Sequence, residues 1–435
     1  MLPALAMTRV WKIGVAGLGT VGGGLIKYLA EFPDFAPAGG RAVVTGVCAR
    51  SRSRPRDFDV KAYAWHDDPV ELAKSPETDI FVELIGGSDG PAKASVEAAL
   101  ALGKPVVTAN KALIAEHGAE LALLAEKTGA PLLFEAAVMG GTPAVKLLRE
   151  AMVGDEVISV AGILNGTCNY ILTEMEIHER AFGDVLAEAQ AKGYAEADPT
   201  MDIGGFDAAH KITILAALAF GRAPSYAAAE IEGVEQVELL DIRLARELGY
   251  RIRLTASAEK SADGGVSVRV HPALAPIAHP LSQTVGATNA LFIQGKKIPK
   301  IFIQGPGAGE GPTAAACCAD IADVMTGAVR PVFQRPAARL QPFGSVNADG
   351  RVGRVYLRVM VKDEAGALAA VTEALAEEGV SIDSFLQKPV EDEGRVPIVL
   401  TTHDVAEGKI KDAVERLAGL PQVLESPRLI RIARP

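Results

Sequence analysis

Short apolar runs alternate with helical stretches over the first third of the chain, and this alternation predicts a parallel β-sheet. The apolar runs have the length of buried strands, and the segments between them repeat their apolar residues with helical spacing. Strands that alternate with helices form parallel sheets with crossover helices. The predicted strands, between Trp11 and about Gly141, are WKIGVAG, AVVTGVCA, DIFVELIGG, KPVVTAN and APLLFEAAV.

After Pro143 the pattern changes to longer strands interrupted by helices, which predicts an α+β domain. The predicted strands are EVISVAGIL, RIRLTASAEK, GVSVRVHPAL, ATNALFIQG and KIFIQG, and helices include TPAVKLLREAM, FGDVLAEAQAKGY and GFDAAHKITILAALAFG. A Pro- and Arg-rich stretch, RPVFQRPAARLQPFG, follows. The remaining chain alternates strand, helix, strand, strand, helix, strand, which is a ferredoxin-like order.

These patterns predict an α/β protein with three parts. A Rossmann-type parallel-sheet nucleotide domain comes first, then an α+β domain, then a ferredoxin-like tail. The expected boundaries are 1–142 for the nucleotide domain, completed by 303–330, 143–302 for the α+β domain, 331–352 for a linker and 353–435 for the tail.

Composition and charge exclude several classes of protein. With 49% hydrophobic and 23% charged residues the chain of 435 residues has ordinary globular composition. A net charge of −10 argues against a nucleic-acid surface, which needs a basic face. The four cysteines show no metal-ligand spacing, which indicates a reducing compartment such as the cytoplasm. The longest apolar run, Ile212 to Phe220, is too short to cross a bilayer, and no signal peptide is recognisable.

The stretch GLGTVG, Gly17–Gly22, directly follows a predicted strand and opens a predicted helix. Gly17 allows a tight turn, Gly19 lets the backbone approach a pyrophosphate, and Gly22 permits close packing of the helix. Thr20 and Val21 lie in the same turn and are predicted to contact the cofactor. A glycine-rich turn without a ligand is the alternative, but the strand–turn–helix context favours dinucleotide binding.

Arg50 stands at the end of the second predicted strand, where a fold selective for NAD usually offers an acid to the ribose hydroxyls. A guanidinium there suits a 2′-phosphate, so we expect NADP, with NAD possible. The alternative is a solvated basic loop, since Arg52, Arg54 and Arg56 follow.

An acidic segment, GYAEADPTMDIGGFDAAHK at 193–211, holds the first candidates for catalysis. Asp207 and Lys211 are four residues apart on a predicted helix and share one face. An exposed ion pair worth roughly 0.3–0.5 kcal/mol is the alternative, but the nearby acids and turn residues weaken it. Lys111 of TANK lies just past a strand, at the edge where open α/β sheets bind ligands, although the motif taken alone favours a surface lysine.

Seven motifs in order resemble homoserine dehydrogenase over about residues 10 to 330: VAGLGTVG, VELIGG, TANK, FEAAVMGGTP, ILNGTCNYIL, GYAEADPTMDIGGFDAAHK and GPGAGEGPT. The tail resembles an ACT domain. The resemblance implies interconversion of L-aspartate 4-semialdehyde and L-homoserine by hydride transfer with NAD(P), on the route to threonine and methionine. It also implies a small-molecule substrate and makes the α+β domain the catalytic and dimerisation domain. The long strands of that domain favour a sheet-mediated homodimer or higher homo-oligomer.

Roles for single residues follow from this resemblance. Lys211 is expected to exchange a proton with the substrate oxygen, and Asp207 to hold the substrate and orient that lysine. Lys111 is expected between nicotinamide and substrate, with the division of labour between the two lysines open. Glu196 would bind the substrate's ammonium group with support from Asp202. Gly193 and Gly309 resemble glycines that approach the cofactor.

Two further sites are implied in the same way. FEAAVMGGT resembles a loop in which Glu135 and the carbonyls of Val138, Gly140 and Thr142 bind sodium, and a hinge between domains is the alternative. Asp363, Gly366 and Leu368 of the tail resemble the ACT ligand turn, for which the resemblance suggests L-threonine. A tail that only dimerises is the alternative there.

Two competing functions remain at this point. A semialdehyde dehydrogenase that works through a thioester needs a cysteine nucleophile with a base, and Cys168 is its candidate. A protein that has lost catalysis, an amino-acid sensor on a dinucleotide-binding body, is the other. Intact Lys111, Asp207 and Lys211 argue against the sensor.

Overall fold

The computed structural model describes residues 9–36, 40–261, 263–388 and 394–433. The chain forms a mixed α/β protein with a parallel sheet at the amino-terminal end and a second, larger mixed sheet that runs through the rest. This confirms the fold class predicted from the sequence. Within the described residues, no helix is both long and apolar enough to span a membrane.

The nucleotide domain has six parallel strands in the order β3-β2-β1-β4-β5-β6. The five predicted strands are present, and the short strand β3 was not predicted. The strands and helices are β1 Val10–Ala16, α1 Thr20–Glu31, β2 Arg41–Cys48, β3 Ala64–His66, α2 Pro69–Lys74, β4 Ile80–Glu83, α3 Pro91–Ala101, β5 Val106–Thr108, α4 Lys111–Thr128 and β6 Leu132–Leu133.

The middle region is built on five main strands in the order β12-β11-β7-β9-β10, with β8 beside β10. Its elements are α5 Ala136–Met139, α6 Ala144–Lys146, β7 Val157–Ile163, α7 Gly166–His178, α8 Phe182–Ala191, α9 Thr200–Ile203, α10 Phe206–Phe220, β8 Ala229–Ile231, α11 Leu239–Glu247, β9 Tyr250–Lys260, β10 Val266–Pro276, β11 Thr288–Gly295, β12 Ile301–Pro306 and α12 Glu310–Thr326. A π-helical turn, Leu147–Ala151, extends α6.

Helix α10 lies between the sheet of the middle region and the nucleotide domain. It starts after Gly205 and ends at Gly221, and both glycines have positive φ, which suits the left-handed backbone at the two ends. All its residues from Asp207 to Leu218 are buried. It packs against β9 and β10 on one side and against α4 of the nucleotide domain on the other. The carboxylate and ammonium groups on this helix are therefore held inside the protein.

Helix α12 returns to the nucleotide domain. Its small residues Ala314, Cys317 and Cys318 share a core with the nucleotide sheet. A Cβ added to Gly24 of α1 would lie 2.5 Å from Glu310 Cγ, so the two helices need a glycine at this crossing. The parallel sheet is thus covered by a helix that lies about 290 residues after the turn it packs beside.

The carboxyl-terminal region has the predicted strand–helix–strand–strand–helix–strand order in β14, α13, β15, β16, α14 and β18. Its elements are β13 Val352–Gly353, β14 Val355–Lys362, α13 Ala367–Glu377, β15 Ile382–Gln387, β16 Arg395–Thr402, β17 Val405–Ala406, α14 Glu407–Ala418 and β18 Arg428–Ile432.

Strand β18 joins the tail to the middle region. It pairs in parallel with β10 through Ala273 opposite Arg431 and Leu274 opposite Ile432, so one ten-stranded sheet spans both regions. The connection at 331–352 is packed as well, since Phe333 and Phe343 are fully buried. The boundaries given above for the individual domains stay predictions.

Candidate active site

The turn after β1 has the geometry of a phosphate cradle. Gly17 has φ +98°, and a Cβ there would lie 2.1 Å from the Leu84 carbonyl oxygen. A Cβ on Gly22 would lie 1.9 Å from the Gly17 carbonyl oxygen, whereas one on Gly19 would meet nothing within 4 Å. The first and third glycines are therefore required by packing, and the second faces open space. No side chain caps α1, whose first residues are Thr20 and Val21, so its amino end is suited to an anion.

The arginine-rich loop follows β2. Arg56 donates hydrogen bonds to the carbonyl oxygens of Ser51 at 2.7 Å and Arg54 at 2.9 Å, so this side chain fixes the loop backbone. Arg50 itself is exposed at the start of the loop. The loop therefore has one structural arginine, and it presents Arg50 at the surface beyond the strand end.

Asp207 lies between two lysines that come from different domains. Lys111 Nζ is 2.8 Å from Asp207 Oδ1, and Lys211 Nζ is 2.8 Å from Asp207 Oδ2. Lys111 is the first residue of α4, whose amino end is capped by Asn110 through a 3.1 Å hydrogen bond from Leu113 N. Lys211 Nζ also donates to the Leu164 carbonyl oxygen at 2.8 Å. The structure thus brings together the three residues that were the catalytic candidates.

The two lysines have different proton affinities. The negative charge of Asp207 raises the pKa of Lys111 above its usual value, although burial works against it. Burial lowers the pKa of Lys211, and the attraction of Asp207 only partly opposes it. Burial alone would raise the pKa of Asp207, but the ammonium groups of Lys211 and Lys111 hold it well below its usual range. Lys211 is therefore the lysine that gives up its proton more readily.

The other acids of the segment occupy different environments. Asp202 is half-buried and its Oδ1 accepts a 2.7 Å hydrogen bond from Asn165 Nδ2. Burial raises the pKa of Asp202, and the Asn165 hydrogen bond opposes that shift. Glu196 is exposed on the turn between α8 and α9. Asp198 serves the local fold, because its Oδ1 accepts from Thr200 N at 3.1 Å and Thr200 Oγ1 at 2.6 Å.

Comparisons with known proteins agree on one family. Residues 143–322 match the homoserine dehydrogenase family model, residues 17–135 match the homoserine dehydrogenase NAD binding domain, and residues 355–422 match the ACT domain. A homoserine dehydrogenase of Neisseria gonorrhoeae is 42% identical over 429 residues, which cover 97% of this chain and 98% of that protein. The chain belongs to the homoserine dehydrogenase family.

Solved structures of homoserine dehydrogenases have the same architecture. One from Thiobacillus denitrificans superposes with a TM-score of 0.91 at 38% identity and covers 98% of both chains. A hyperthermophilic archaeal homoserine dehydrogenase in complex with NADPH has a TM-score of 0.62 at 28% identity, covering 72% of this chain and 97% of its own. Members of the family are oxidoreductases that act on a CH–OH group and bind a nicotinamide dinucleotide, and the inactive-sensor alternative receives no support.

The two further candidate cofactor glycines lie at helix ends. Gly309 has φ +116° and immediately precedes α12, in the loop GPGAGEGPT. That loop packs closely on the turn after α5, since a Cβ on Gly140 would lie 2.8 Å from the Gly307 carbonyl oxygen. Gly193 has φ +75°, is exposed, and follows the end of α8. Both positions need glycine for backbone reasons alone.

The candidate cation loop runs from Glu135 to Thr142. The Glu135 carboxylate accepts from Val145 N at 3.1 Å and from Lys146 N at 2.7 Å, and burial raises its pKa to about 7. Its side chain thus faces the start of α6. The carbonyl oxygens of Val138, Gly140 and Thr142 are hard oxygen donors of the kind sodium takes.

The candidate effector turn lies at the start of α13. Gly366 has φ +93° and precedes the first helical residue, and no side chain caps the helix. Asp363 is exposed before the turn, and Leu368 packs partly against the core of the tail.

The environment of Cys168 is unsuited to the nucleophile that a thioester mechanism needs. Cys168 is fully buried at the start of α7, and its Sγ lies 3.1 Å from the Asp202 carbonyl oxygen. Burial raises the pKa of this thiol well above its usual value, so the thiolate that such chemistry needs is disfavoured.

Sequence reasoning missed the amides around the cluster. Asn165 donates to both Asp202 and Asp207, and Asn289 Nδ2 donates to the Leu164 carbonyl oxygen at 3.1 Å. Asn165 stands directly before a helix, where an asparagine indicates an N-cap. The cap could therefore be predicted from the sequence, whereas the contacts with the two aspartates could not.

Proposed function

We propose that the protein interconverts L-homoserine and L-aspartate 4-semialdehyde, with NADP as the preferred partner in hydride exchange, on the route to threonine and methionine. The observation that carries the proposal is the buried carboxylate of Asp207 held between Lys111 and Lys211. Turnover of homoserine, followed as reduction of NADP and of NAD, tests it. Absence of turnover with both cofactors would overturn it.

The two lysines are proposed to have different roles in the reaction. When bound, the nicotinamide supplies the hydride acceptor or donor. Lys211 takes the hydroxyl proton during oxidation and returns it during reduction. Burial lowers its pKa, which favours the unprotonated amine that the oxidation direction needs. Lys111 keeps its proton, and its charge stabilises negative charge that develops on the substrate oxygen. Asp207 holds both ammonium groups in place.

Glu196 is proposed to bind the substrate's ammonium group, with Asp202 beside it. It lies on a turn between two helices and its charge acts on Lys111, so it is near the cluster while remaining accessible. We expect Glu196→Gln to raise the KM for homoserine about tenfold with a much smaller change in kcat, since ground state and transition state share this charge pair. Steady-state kinetics measure both. Asp198→Asn, an exposed acid in the same segment, is the matched control, and an unchanged KM in Glu196→Gln would place the ammonium elsewhere.

Cofactor preference is proposed to depend on Arg50. Arg50→Glu should raise the KM for NADP at least about tenfold and change that for NAD much less, because a carboxylate repels the 2′-phosphate and accepts from ribose hydroxyls. Arg54→Glu, an exposed arginine of the same loop, controls for net charge. Equal losses for both cofactors in Arg50→Glu would make this arginine structural.

The Glu135–Thr142 loop is proposed to hold a sodium ion through Glu135 and the carbonyl oxygens of Val138, Gly140 and Thr142. Homoserine turnover in sodium chloride against choline chloride at equal ionic strength measures the effect. Equal rates after removal of all sodium would leave the loop as a contact between domains.

The tail is proposed to bind L-threonine at the turn of Asp363, Gly366 and Leu368. Threonine should inhibit the full-length enzyme, and Gly366→Val should raise the half-inhibitory concentration at least about tenfold, because a β-branched residue resists φ +93°. Gly379→Val strains a glycine of φ +69° at the other end of α13 and should keep threonine inhibition. Full-length enzyme that is indifferent to threonine would leave the tail as an assembly element. Truncation is a poorer test, since loss of β18 exposes the edge of β10.

We also propose that the protein is cytoplasmic and forms a homodimer or higher homo-oligomer. All four cysteines are free and buried, as in a reducing compartment. Sedimentation velocity and cell fractionation test assembly and location, and a monomer or an exported protein would contradict them.

A further inference from the structure

Both polar atoms of the Asn165 side chain make hydrogen bonds at the active-site cluster. It is 4% exposed and caps the amino end of α7, where its Oδ1 accepts from Cys168 N at 2.8 Å. The amide nitrogen therefore faces the opposite way. It donates to Asp202 Oδ1 at 2.7 Å and to Asp207 Oδ2 at 2.9 Å. One amide group thus links two carboxylates of the cluster.

This link fixes the orientation of Asp207. Its Oδ2 receives hydrogen bonds from Asn165 and from Lys211, while its Oδ1 faces Lys111. Without the Asn165 donor only the two ammonium groups would hold the carboxylate, and its rotation about the Cβ–Cγ bond would be less restricted. A catalytic group must be held within about 0.5 Å of its productive position, so this orientation matters for the reaction.

The same donor also offsets repulsion between two acids. Asp202 and Asp207 both accept from Asn165 Nδ2, so their carboxylates lie close together around one nitrogen. Like charges this close disfavour each other unless a donor lies between them. The carbonyl oxygen of the neighbouring Leu164 accepts a hydrogen bond from Lys211 Nζ, which fixes the position of that ammonium group beside Asp207.

We propose that Asn165 is a positioning residue of the reaction: its amide N–H groups orient Asp207 towards the two lysines and hold Asp202 beside it. Asn165 acts through these carboxylates and not on the substrate oxygen. The inference rests on the proposed roles of Asp207 and Lys211.

Two substitutions separate positioning from helix capping. Asn165→Ser and Asn165→Asp both keep an oxygen that can cap α7, and serine, aspartate and asparagine are nearly equal in that role. Both remove the N–H donors. Asp68→Ser makes a comparable exchange at the cap of α2, far from the cluster, and is the matched control.

We expect both Asn165 variants to lower kcat for homoserine oxidation about 10- to 100-fold, as is typical when a hydrogen-bond partner that orients a functional side chain is lost, while the KM for homoserine changes less than about threefold. Asn165→Asp should also move the rising limb of the pH–rate profile to higher pH, because added negative charge raises the pKa of Lys211. Asn165→Ser should leave that limb near its wild-type position. Asp68→Ser should match wild type in every respect.

A wild-type kcat in folded Asn165→Ser would overturn the proposal and reduce Asn165 to a helix cap. If that variant does not fold, unchanged kcat and pH limb in Asn165→Asp would overturn it equally. Failure of the underlying function looks different: wild-type enzyme would then not turn over homoserine, or Lys211→Ala would retain activity.

Discussion

Lys211→Ala should lower kcat for homoserine oxidation by roughly 10²–10⁴, the range for loss of a general acid–base. Lys211 is buried on α10, and its Nζ touches only Asp207 and the Leu164 carbonyl oxygen among its described hydrogen bonds. Burial lowers its pKa, so in wild type the oxidation rate should rise with pH as this lysine loses its proton, below the ordinary lysine value of 10.5. Lys211→Ala should lose that rise.

Lys111→Ala gives the contrast that assigns the two lysines. Lys111 has a raised pKa and is proposed to act as a fixed positive charge, so its removal should lower kcat. The pH limb should remain but move to higher pH, because the charge of Lys111 helps to lower the pKa of Lys211. Lys127→Ala, at the other end of α4, should behave as wild type. Stopped-flow and steady-state pH profiles of the three variants measure this. A pH limb that disappears in Lys111→Ala and persists in Lys211→Ala would reverse the assignment.

Local signals explain why much of the site was predictable. The glycine turn at Gly17–Gly22 and the four-residue spacing of Asp207 and Lys211 depend on backbone geometry within a few residues, which sequence patterns express directly. Glu196 and Asp202 could be predicted to share one site because they lie only six positions apart in the same acidic segment. Their separate environments, one exposed and one half-buried, depend on packing that the pattern does not carry.

Distant contacts explain what was not predictable. Lys111 reaches Asp207 across 96 positions of sequence, and a lysine after a strand is equally suited to the surface. The pairing of β18 with β10 joins segments 158 residues apart through only two residue pairs. The amide of Asn165 is of the same kind, since its cap role is local but its two carboxylate partners lie 37 and 42 residues away.

Asp207→Asn should both destabilise the protein and stop catalysis. Asp207 is 6% exposed and its carboxylate is the shared partner of two ammonium groups, so the variant leaves Lys211 as a buried, uncompensated charge. Breaking a buried ion pair by removing one partner costs about 3–5 kcal/mol of unfolding free energy. Chemical denaturation at pH 7 measures this change, and homoserine turnover measures the accompanying loss of kcat.

The double variant Asp207→Asn/Lys211→Met identifies the cause of the destabilisation. Removing both charges should restore part of the lost stability, because no unpaired ammonium remains in the core, while activity stays absent. The pH dependence gives a second check. In Asp207→Asn the pKa of Lys211 in the folded protein falls further below its unfolded value, since Asp207 no longer raises it. Folding then disfavours the protonated lysine, so the stability deficit is full below the folded-state pKa and shrinks as pH rises towards 10.5. A deficit that is constant with pH, or a double variant no more stable than Asp207→Asn, would show that Asp207 stabilises the fold through its hydrogen bonds and not by neutralising Lys211.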